Sequence, residues 1–254
     1  TTLDISDFDT SNVTTMYAMF SMWNSDDDKY LNKGSLTSID VSSFDTSKVT
    51  TMYNMFAFNT GMVSINGLEN FSTSKVTDVG GMFNDCYSIT KLNLSGFDTS
   101  NVTSMRGMFN NNQKLIQLDL RNFNTSKVSK MDFMFSSCNN LIKLNLCNFD
   151  TSQVTDMNKM FFGTTNLKNI YVGPNWTTSN ATTDNMFYNS GVSSVTQSNN
   201  CEYDAEDISV SLQTTTTTNS ITAVATASAD SGIAKYEFSK DDGNTWVDNS
   251  TENT

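Results

Sequence analysis

The chain has 254 residues, a formal net charge of −12 at pH 7 and no histidine. Neutralising the phosphates of nucleic acid requires clustered Lys and Arg, which this acidic chain lacks, so nucleic acid is excluded as the expected partner. The absence of histidine excludes Ser/His and Cys/His catalysis and removes the commonest metal ligand, so we predict no enzyme, no metal and no other cofactor.

A motif of the form F-D-T-S-x-V-T-x-M-x-x-M-F recurs along the first three quarters of the chain. The aromatic residue that opens it is Phe in six copies, and Trp176 takes its place in a seventh, degenerate copy. The six residues are Phe8, Phe44, Phe71, Phe97, Phe123 and Phe149. The last three steps between them are 26 residues each, a period typical of proteins that stack one structural unit on the next.

Each copy predicts a short strand followed by a short helix. In the fifth copy Leu118 and Leu120 alternate with Gln117 and Asp119, which predicts a strand with buried leucines and outward polar side chains. The apolar residues of the closing segment, 131–135, fall at i, i+3 and i+4, which predicts one face of a helix. A Thr ahead of that segment is the expected helix N-cap. The Thr residues in this place are Thr14, Thr50, Thr103 and Thr155.

The predicted fold class is an α/β repeat, a leucine-rich-repeat-type solenoid of about seven rungs with a short strand and a short helix in each rung. Columns of Leu, Phe, Val and Met form its continuous core. Two copies depart from the pattern. Residues 24–34 are inserted into the first copy, and the third copy gains one residue at Ile65-Asn66-Gly67-Leu68, which predicts a local β-bulge.

Residues 92–109 (LNLSGFDTSNVTSMRGMF) and 118–138 (LDLRNFNTSKVSKMDFMFSSC) resemble the BspA-like leucine-rich repeats, the 26-residue repeats of bacterial surface proteins. Residues 172–191 are similar to the closing repeat of that family, so the resemblance spans roughly residues 1–192. It implies an extracellular location at the bacterial cell surface and a role in cell adhesion. It implies no single ligand, so no binding residue is transferred from it.

The composition changes toward the C-terminus. Ile208, Val210 and Leu212 alternate with polar residues, and Asp242-Gly243 is a strong β-hairpin signal. Residues 235–246 (KYEFSKDDGNTW) resemble the opening strands of a bacterial immunoglobulin-like domain, which implies a spacer. Only part of such a domain is present, since these sandwiches need about 100 residues. The expected organisation is a solenoid at 1–192, a linker at 193–205 and a partial all-β immunoglobulin-like domain at 206–254.

Cysteines and acidic turns are interpreted as structural. Cys86 and Cys138 occupy equivalent places two rungs apart, and this separation of ~9.6 Å exceeds the ~7 Å limit for a disulfide, so we predict two free, buried thiols. A column of acidic residues in the turns favours Asx turns over a calcium ladder. Its members are Asp9, Asp45, Asp98 and Asp150. For the acidic run at residues 26–28, a solvated loop is favoured over a cation site.

The outward side chains of the strands form the candidate partner-binding face, because the strand face of a repeat protein is often an extended binding surface. The alternative is a face that only contacts solvent. The candidate residues are Ser38, Asp40, Lys91, Asn93, Gln117, Asp119, Arg121, Lys143, Asn145, Asn169 and Tyr171.

These observations predict a non-catalytic surface segment that adheres to, or recognises, a protein or glycan of a host or of a bacterium. The alternative is an architectural stalk, a filament or assembly component, or a phage component, which oligomer formation in light scattering would indicate. The oligomeric state is left open. No apolar run reaches the ~18 residues of a membrane-spanning helix, and the chain begins inside a motif, so we expect targeting and anchoring segments elsewhere.

Overall fold

In a computed structural model of the chain, each copy of the motif stacks on the next through parallel backbone ladders. The structure describes residues 2–22, 36–198, 209–217, 220–228, 237–239 and 246–248, so the predicted insertion at 24–34 lies wholly outside it. Single parallel bridges link the same position of all seven copies in an unbroken series. The bridged residues are Thr15, Thr51, Asp78, Ser104, Lys130, Asp156 and Thr182.

Short parallel strands lie along one side of the stack. The first sheet has the order β1-β2-β3, with strands at Thr2–Leu3 (β1), Ser38–Asp40 (β2) and Ser64–Asn66 (β3). The second has the order β4-β5-β6, with strands at Lys143–Leu146 (β4), Asn169–Val172 (β5) and Thr196–Gln197 (β6). Between the sheets, the fourth and fifth copies carry no assigned strand, yet Leu118 and Leu120 are buried there as predicted.

The prediction of one helix in each rung is wrong. The described residues contain no α-helix, and their one helical element is a 3-10 turn at Leu68–Asn70. It follows that none of the described segments is a helix with the length and apolar character needed to cross a membrane. The chain is therefore not an α/β solenoid of the leucine-rich-repeat type.

The Met-x-x-Met-Phe segment forms turns because its peptide groups bond to neighbouring copies. In the fifth copy the N–H of Met134 donates to Met131 O at 3.2 Å, which closes a turn. The N–H of Phe133 donates instead to Asn158 O of the sixth copy at 2.9 Å. A helix would bond this group to its own backbone, four residues back. The i, i+3, i+4 spacing buries the same side chains in both structures, so apolar periodicity does not distinguish them.

The third residue of each of these turns has a left-handed backbone. Its φ lies between 50° and 60° in all seven copies. The residues are Ala18, Asn54, Gly81, Gly107, Phe133, Lys159 and Asn185. This conformation excludes a right-handed helix at that point and costs a non-glycine residue about 1 to 2 kcal/mol. The hydrogen bonds between copies hold the backbone there.

A stack of Phe rings runs through the core, one ring from each copy. Neighbouring centroids are 5.5–5.9 Å apart, and neighbouring planes lie within 14° of each other. The rings belong to Phe20, Phe56, Phe83, Phe109, Phe135, Phe161 and Phe187. Offset stacks at this distance are stabilised beyond the burial of their area. With the Leu, Val and Met columns, these rings form the apolar core that the repeats predict.

A column of buried Thr residues replaces backbone hydrogen bonds at the turn formed by the D-T-S residues of the motif, which we call the D-T-S corner. The hydroxyl of Thr99 donates to Asn124 O at 2.9 Å and accepts the N–H of Asn124 at 2.7 Å, and the same pair of bonds recurs in other copies. The members of the column are Thr10, Thr46, Thr73, Thr99, Thr125 and Thr151. Each hydroxyl thus ties one copy to the next.

The Thr residues expected as helix N-caps have a different role. The hydroxyls of Thr50, Thr103 and Thr155 each donate to a backbone carbonyl of the preceding copy at 3.1 Å. With no helix to cap, the expectation is wrong. The predicted bulge in the third copy is also absent, because β3 pairs with β2 in regular register through Asn66. The extra residue lies instead at Gly67, whose φ of 87° precedes the 3-10 turn and whose missing Cβ would overlap the Ser42 backbone.

The chain divides into two compact units, Thr1–Cys201 and Glu202–Thr254. In the second, β7 (Ser209–Thr217) pairs antiparallel with β8 (Ser220–Ser228), and β9 (Glu237–Ser239) pairs antiparallel with β10 (Trp246–Asp248). The second pair flanks Asp242-Gly243, as a hairpin signal predicts, although the dipeptide lies outside the described residues. The division into 1–192, 193–205 and 206–254 stays a prediction.

Cys86 and Cys138 are free and buried, as predicted. They belong to a column of side-chain donors that satisfy carbonyls of the Phe stack. Cys138 Sγ donates to Phe109 O at 3.0 Å, and in the fourth copy the Asn112 amide donates to Phe83 O at 2.9 Å. Burial raises the pKa of both thiols to about 12, so neither forms a reactive thiolate at neutral pH.

We expect the native protein to protect these two thiols from Ellman's reagent. In a Cys201→Ser background, which limits the assay to the three described cysteines, only the half-exposed Cys147 should react quickly. Adding Cys147→Ser should remove the fast phase, and denaturant should expose the buried pair. Rapid native labelling of Cys86 or Cys138 would contradict the stacked core.

Candidate functional site

The predicted strand face is solvent-accessible, since none of its eleven residues is buried. Parallel pairing brings some of them side by side: Lys143 lies opposite Asn169, and Asn145 lies opposite Tyr171. Arg121 forms an ion pair with Asp119 within one copy, with Nε 2.9 Å from Oδ1. The face is thus polar, with a single large ring among its predicted members.

Four of the eleven predicted residues have a structural role. The side-chain oxygens of Asp40, Asn93, Asp119 and Asn145 each accept the backbone N–H two residues later, at 2.9–3.3 Å. This is the geometry of an Asx turn, which ends the strand segment and redirects the chain. The Asp or Asn between the two buried residues of each strand segment therefore has a structural role, which accounts for it without a ligand.

The acidic column at the D-T-S corner also forms Asx turns, as predicted. Asp9, Asp45, Asp98 and Asp150 each accept a Ser backbone N–H at 2.9–3.0 Å. The Ser100 hydroxyl and then its N–H lower the pKa of Asp98, and burial opposes them weakly. No group of three or more His, Cys, Asp or Glu within the described ranges is arranged to hold a metal ion. The run at residues 26–28 lies outside those ranges.

Stability is expected to fall in acid as these turns lose their charged acceptors. Asp4, Asp9, Asp40, Asp45 and Asp98 have a folded-state pKa below the usual 3.8. A carboxylate whose pKa is lower in the folded than in the unfolded state stabilises the fold at pH values above the unfolded-state pKa. This contribution disappears as pH falls below about 4. The urea midpoint, measured from pH 7 to pH 3, should drop mainly at the acidic end.

Asp98→Asn is the matched variant for this titration, because Asn124 fills the same place one copy later and accepts Ser126 N–H at 3.1 Å. The variant should match the parent near pH 7 and lose less stability in acid. Burial raises the pKa of Asp85 and Asp132, so their protonation acts in the opposite direction. A larger acid loss in Asp98→Asn than in the parent would contradict the role given to the carboxylate.

A second surface carries six aromatic rings that are at least partly exposed in the described part of the chain. We call it the turn face, and define it as the solvent side of the Met-x-x-Met-Phe turns and of the residues just after them. Its rings belong to Tyr17, Tyr53, Phe58, Phe133, Phe162 and Tyr188. Tyr17 stacks on Tyr53 at 5.3 Å, and Phe162 stacks on Tyr188 at 5.5 Å. Aromatic side chains at a surface are enriched in binding sites.

A cleft of about 300 Å³ lies in the turn face, with Gly81 and Gly107 among its lining residues. A Cβ on Gly80 would lie 3.1 Å from the ring of Tyr53, and one on Gly81 would overlap Asn54 Oδ1, so side chains of the second copy cover these glycines. A Cβ on Gly107 would meet only Asn110 Cβ, at 3.7 Å. The space above Gly107 is therefore open, and it forms the floor of the cleft.

Polar groups surround this floor. Asn110 donates to Asn84 Oδ1 at 2.7 Å, and Arg106 Nε lies 2.9 Å from Asp132 Oδ2. Burial raises the pKa of Asp132, while the Arg106 guanidinium opposes that shift. More than half of the Arg106 side chain is exposed, so its remaining N–H groups face solvent. The cleft combines amide and guanidinium groups with aromatic walls.

The turn face is not among the sites predicted from the sequence. The signal was present in the two variable positions of Met-x-x-Met, which hold Tyr53-Asn54, Gly80-Gly81 and Arg106-Gly107 in successive copies. A predicted helix would have scattered these positions around its axis. The turns align them instead, so that the open position at Gly107 lies next to side chains of neighbouring copies and forms a depression.

A family model matches the chain at residues 2–90, 27–141, 86–200 and 111–223. Its description is a Mycoplasma protein of unknown function, DUF285, and the four overlapping matches together span most of the chain. The expected BspA-like leucine-rich repeat family, with an immunoglobulin-like domain after it, is not what matches, so that recognition is wrong. Comparisons with curated proteins and with solved structures give no match.

Proposed function

We propose that this chain, which belongs to the family described as Mycoplasma protein of unknown function, DUF285, is a non-catalytic recognition segment. It binds a protein or glycan partner through a side surface of the stack. Its place is outside the bacterial cell, where such a surface can reach a partner and serve in adhesion.

The observation that carries this proposal is where the copies differ. The buried columns repeat Phe, Met, Val and Thr from copy to copy. The first position of the turn varies among aromatic, glycine, basic, amide and acidic residues, and it is at least partly exposed in five of the seven copies, Gly80 and Asp132 being buried. Its residues are Tyr17, Tyr53, Gly80, Arg106, Asp132, Asn158 and Asp184. A uniform interior that supports a varied lateral surface is the arrangement by which repeat proteins bind extended partners.

The chemistry of the described side chains favours binding over catalysis. The chain has no histidine to act as a general base. Carboxylates of the acidic column accept backbone N–H groups in turns, which occupies them structurally. Cys86 and Cys138 are held as neutral thiols by their burial, so they are poor nucleophiles.

Immobilised full chain, probed with a glycan array and with surface proteins extracted from cells, tests the proposal. We expect saturable binding to at least one defined glycan or purified protein, competed by the soluble chain. Antibody labelling of intact cells that produce the protein should give a surface signal. Absence of binding together with concentration-dependent filaments in light scattering would replace recognition by an architectural role.

A further inference from the structure

We propose that the cleft above Gly107 is a carbohydrate-binding site that takes a neutral pyranose unit of a glycan. The inference rests on the proposed recognition function, and it gives that function a location and a ligand class. It also moves the site from the predicted strand face to the turn face, where aromatic rings and open space coincide.

The shape of the cleft follows from the order of side chains along the stack. Tyr53 and Phe58 of the second copy stand at one end, and Phe133 of the fifth copy stands at the other. Between these ends Gly107 leaves the floor low, while the Asn54 side chain covers Gly81. Three steps of ~4.8 Å separate the ends, about 14 Å in all. This length accommodates a short oligosaccharide and is too small for a folded partner.

The walls suit the apolar face of a sugar ring. A pyranose presents C–H groups on its faces and hydroxyls at its edge, so it packs flat against an aromatic ring while its edge remains available for hydrogen bonds. Phe133 is partly exposed, and its backbone is left-handed, with a φ of 59°. This backbone is common to all seven copies and belongs to the repeat, and the Lys159 ammonium lies 5.2 Å from the centroid of the Phe133 ring.

The polar groups suit hydroxyls, which both donate and accept. The side-chain amide of Asn54 lines the cleft and makes no hydrogen bond within the described part of the chain, whereas the Asn54 backbone N–H donates to Gly80 O at 2.9 Å. Asn110 contributes a second amide, one N–H of which is used by Asn84. An amide offers a carbonyl acceptor and two donors, which matches the mixed character of a sugar edge.

The charge of the cleft favours a neutral ligand. Arg106 is the basic group of the lining, and its charge is compensated by Asp132 at 2.9 Å. The chain as a whole carries −12, which disfavours the approach of an anion. The free edge of the guanidinium therefore serves as a directional donor to a hydroxyl, rather than as the counter-ion of a carboxylate or a phosphate.

Saturation-transfer NMR on the full chain tests the inference directly. The probes are methyl glycosides of glucose, galactose, mannose and N-acetylglucosamine, followed by their disaccharides. We expect transfer to the ring C–H protons of at least one probe, with a dissociation constant on the order of millimolar, as a small open site implies.

Gly107→Asn fills the floor of the cleft without a new backbone conformation. Asn54 and Asn185 already occupy this register with φ of 54°, and the added Cβ meets no close neighbour. The control is Gly163→Asn, at another left-handed position that does not line the cleft and that Asn189 occupies in the next copy; its added Cβ would lie 3.2 Å from the rotatable Ser137 hydroxyl. We expect at least about a tenfold loss of sugar affinity in Gly107→Asn and none in Gly163→Asn, with equal urea midpoints.

Phe133→Asn removes the far wall and should also weaken binding by about tenfold or more. No transfer to any glycoside overturns the inference, as does equal binding by Gly107→Asn and Gly163→Asn. A glycan bound on the array but unaffected by Gly107→Asn overturns the cleft while leaving the recognition function intact. Loss of a protein partner in Gly107→Asn, without sugar binding, reassigns the cleft to a peptide and counts against the carbohydrate.

Discussion

Replacement of Phe109 by alanine is expected to lower the free energy of unfolding by about 3 to 5 kcal/mol, a large part of the stability of a typical domain. The ring is fully buried at the centre of the Phe stack, 5.9 Å from Phe83 and 5.8 Å from Phe135. Its loss removes contacts on both faces, and neighbouring copies cannot collapse into the cavity without breaking their ladders. Urea denaturation followed by circular dichroism measures the change.

Position along the stack provides the control. Phe187 has a stacked neighbour on one side, Phe161 at 5.5 Å, and it is partly exposed. Phe187→Ala should therefore cost clearly less than Phe109→Ala. Tyr17→Ala, which trims a ring that is 62% exposed, should cost below about 1.5 kcal/mol. Equal losses at Phe109 and Phe187 would show that stacking within the core is not the source of the stability.

Replacement of Thr99 by valine is expected to cost about 1 to 3 kcal/mol, although valine has nearly the same shape. The hydroxyl both donates to and accepts from the backbone of Asn124, so its removal leaves a partly buried N–H and C=O without their partner. The loss should appear as faster amide hydrogen exchange at Asn124 and as a lower urea midpoint.

Thr99→Ser distinguishes the contribution of the hydroxyl to stability from that of the methyl group. Serine keeps both hydrogen bonds and loses one buried methyl, a change of about 0.8 kcal/mol. We expect the serine variant to retain slow exchange at Asn124 and the valine variant to lose it. A serine variant that is less stable than the valine variant would mean that packing of the methyl, rather than the hydroxyl bridge, joins the copies at this corner.

Much of the local structure was readable from the sequence. Alternation at Leu118 and Leu120 predicted the buried side of the strand segment, and Asp98 before Thr99-Ser100 predicted an Asx turn. These features depend on contacts within a few residues, so the local pattern is enough to specify them. The equivalent places of Cys86 and Cys138 likewise followed from the period, which sets their separation along the stack.

The helix was mispredicted because its evidence was a spacing that two structures share. Met131, Met134 and Phe135 are buried whether the segment is a helix or a series of turns. The choice is made by the partner of each peptide group, and for Phe133 that partner is Asn158, one copy away. Hydrogen bonds between copies outweigh the cost of a left-handed residue in every turn, and no single copy contains that information.

The sequence by itself determined the period, the buried columns and the corner turns, because each depends on residue type and short-range spacing. Only the tertiary structure decided the backbone of the Met-x-x-Met-Phe segment and the place of the candidate site. Gly81 and Gly107 are 26 residues apart in the chain and adjacent in the stack. A depression shared by neighbouring copies exists only once those copies are stacked, which is why the turn face, and not the predicted strand face, carries the cleft.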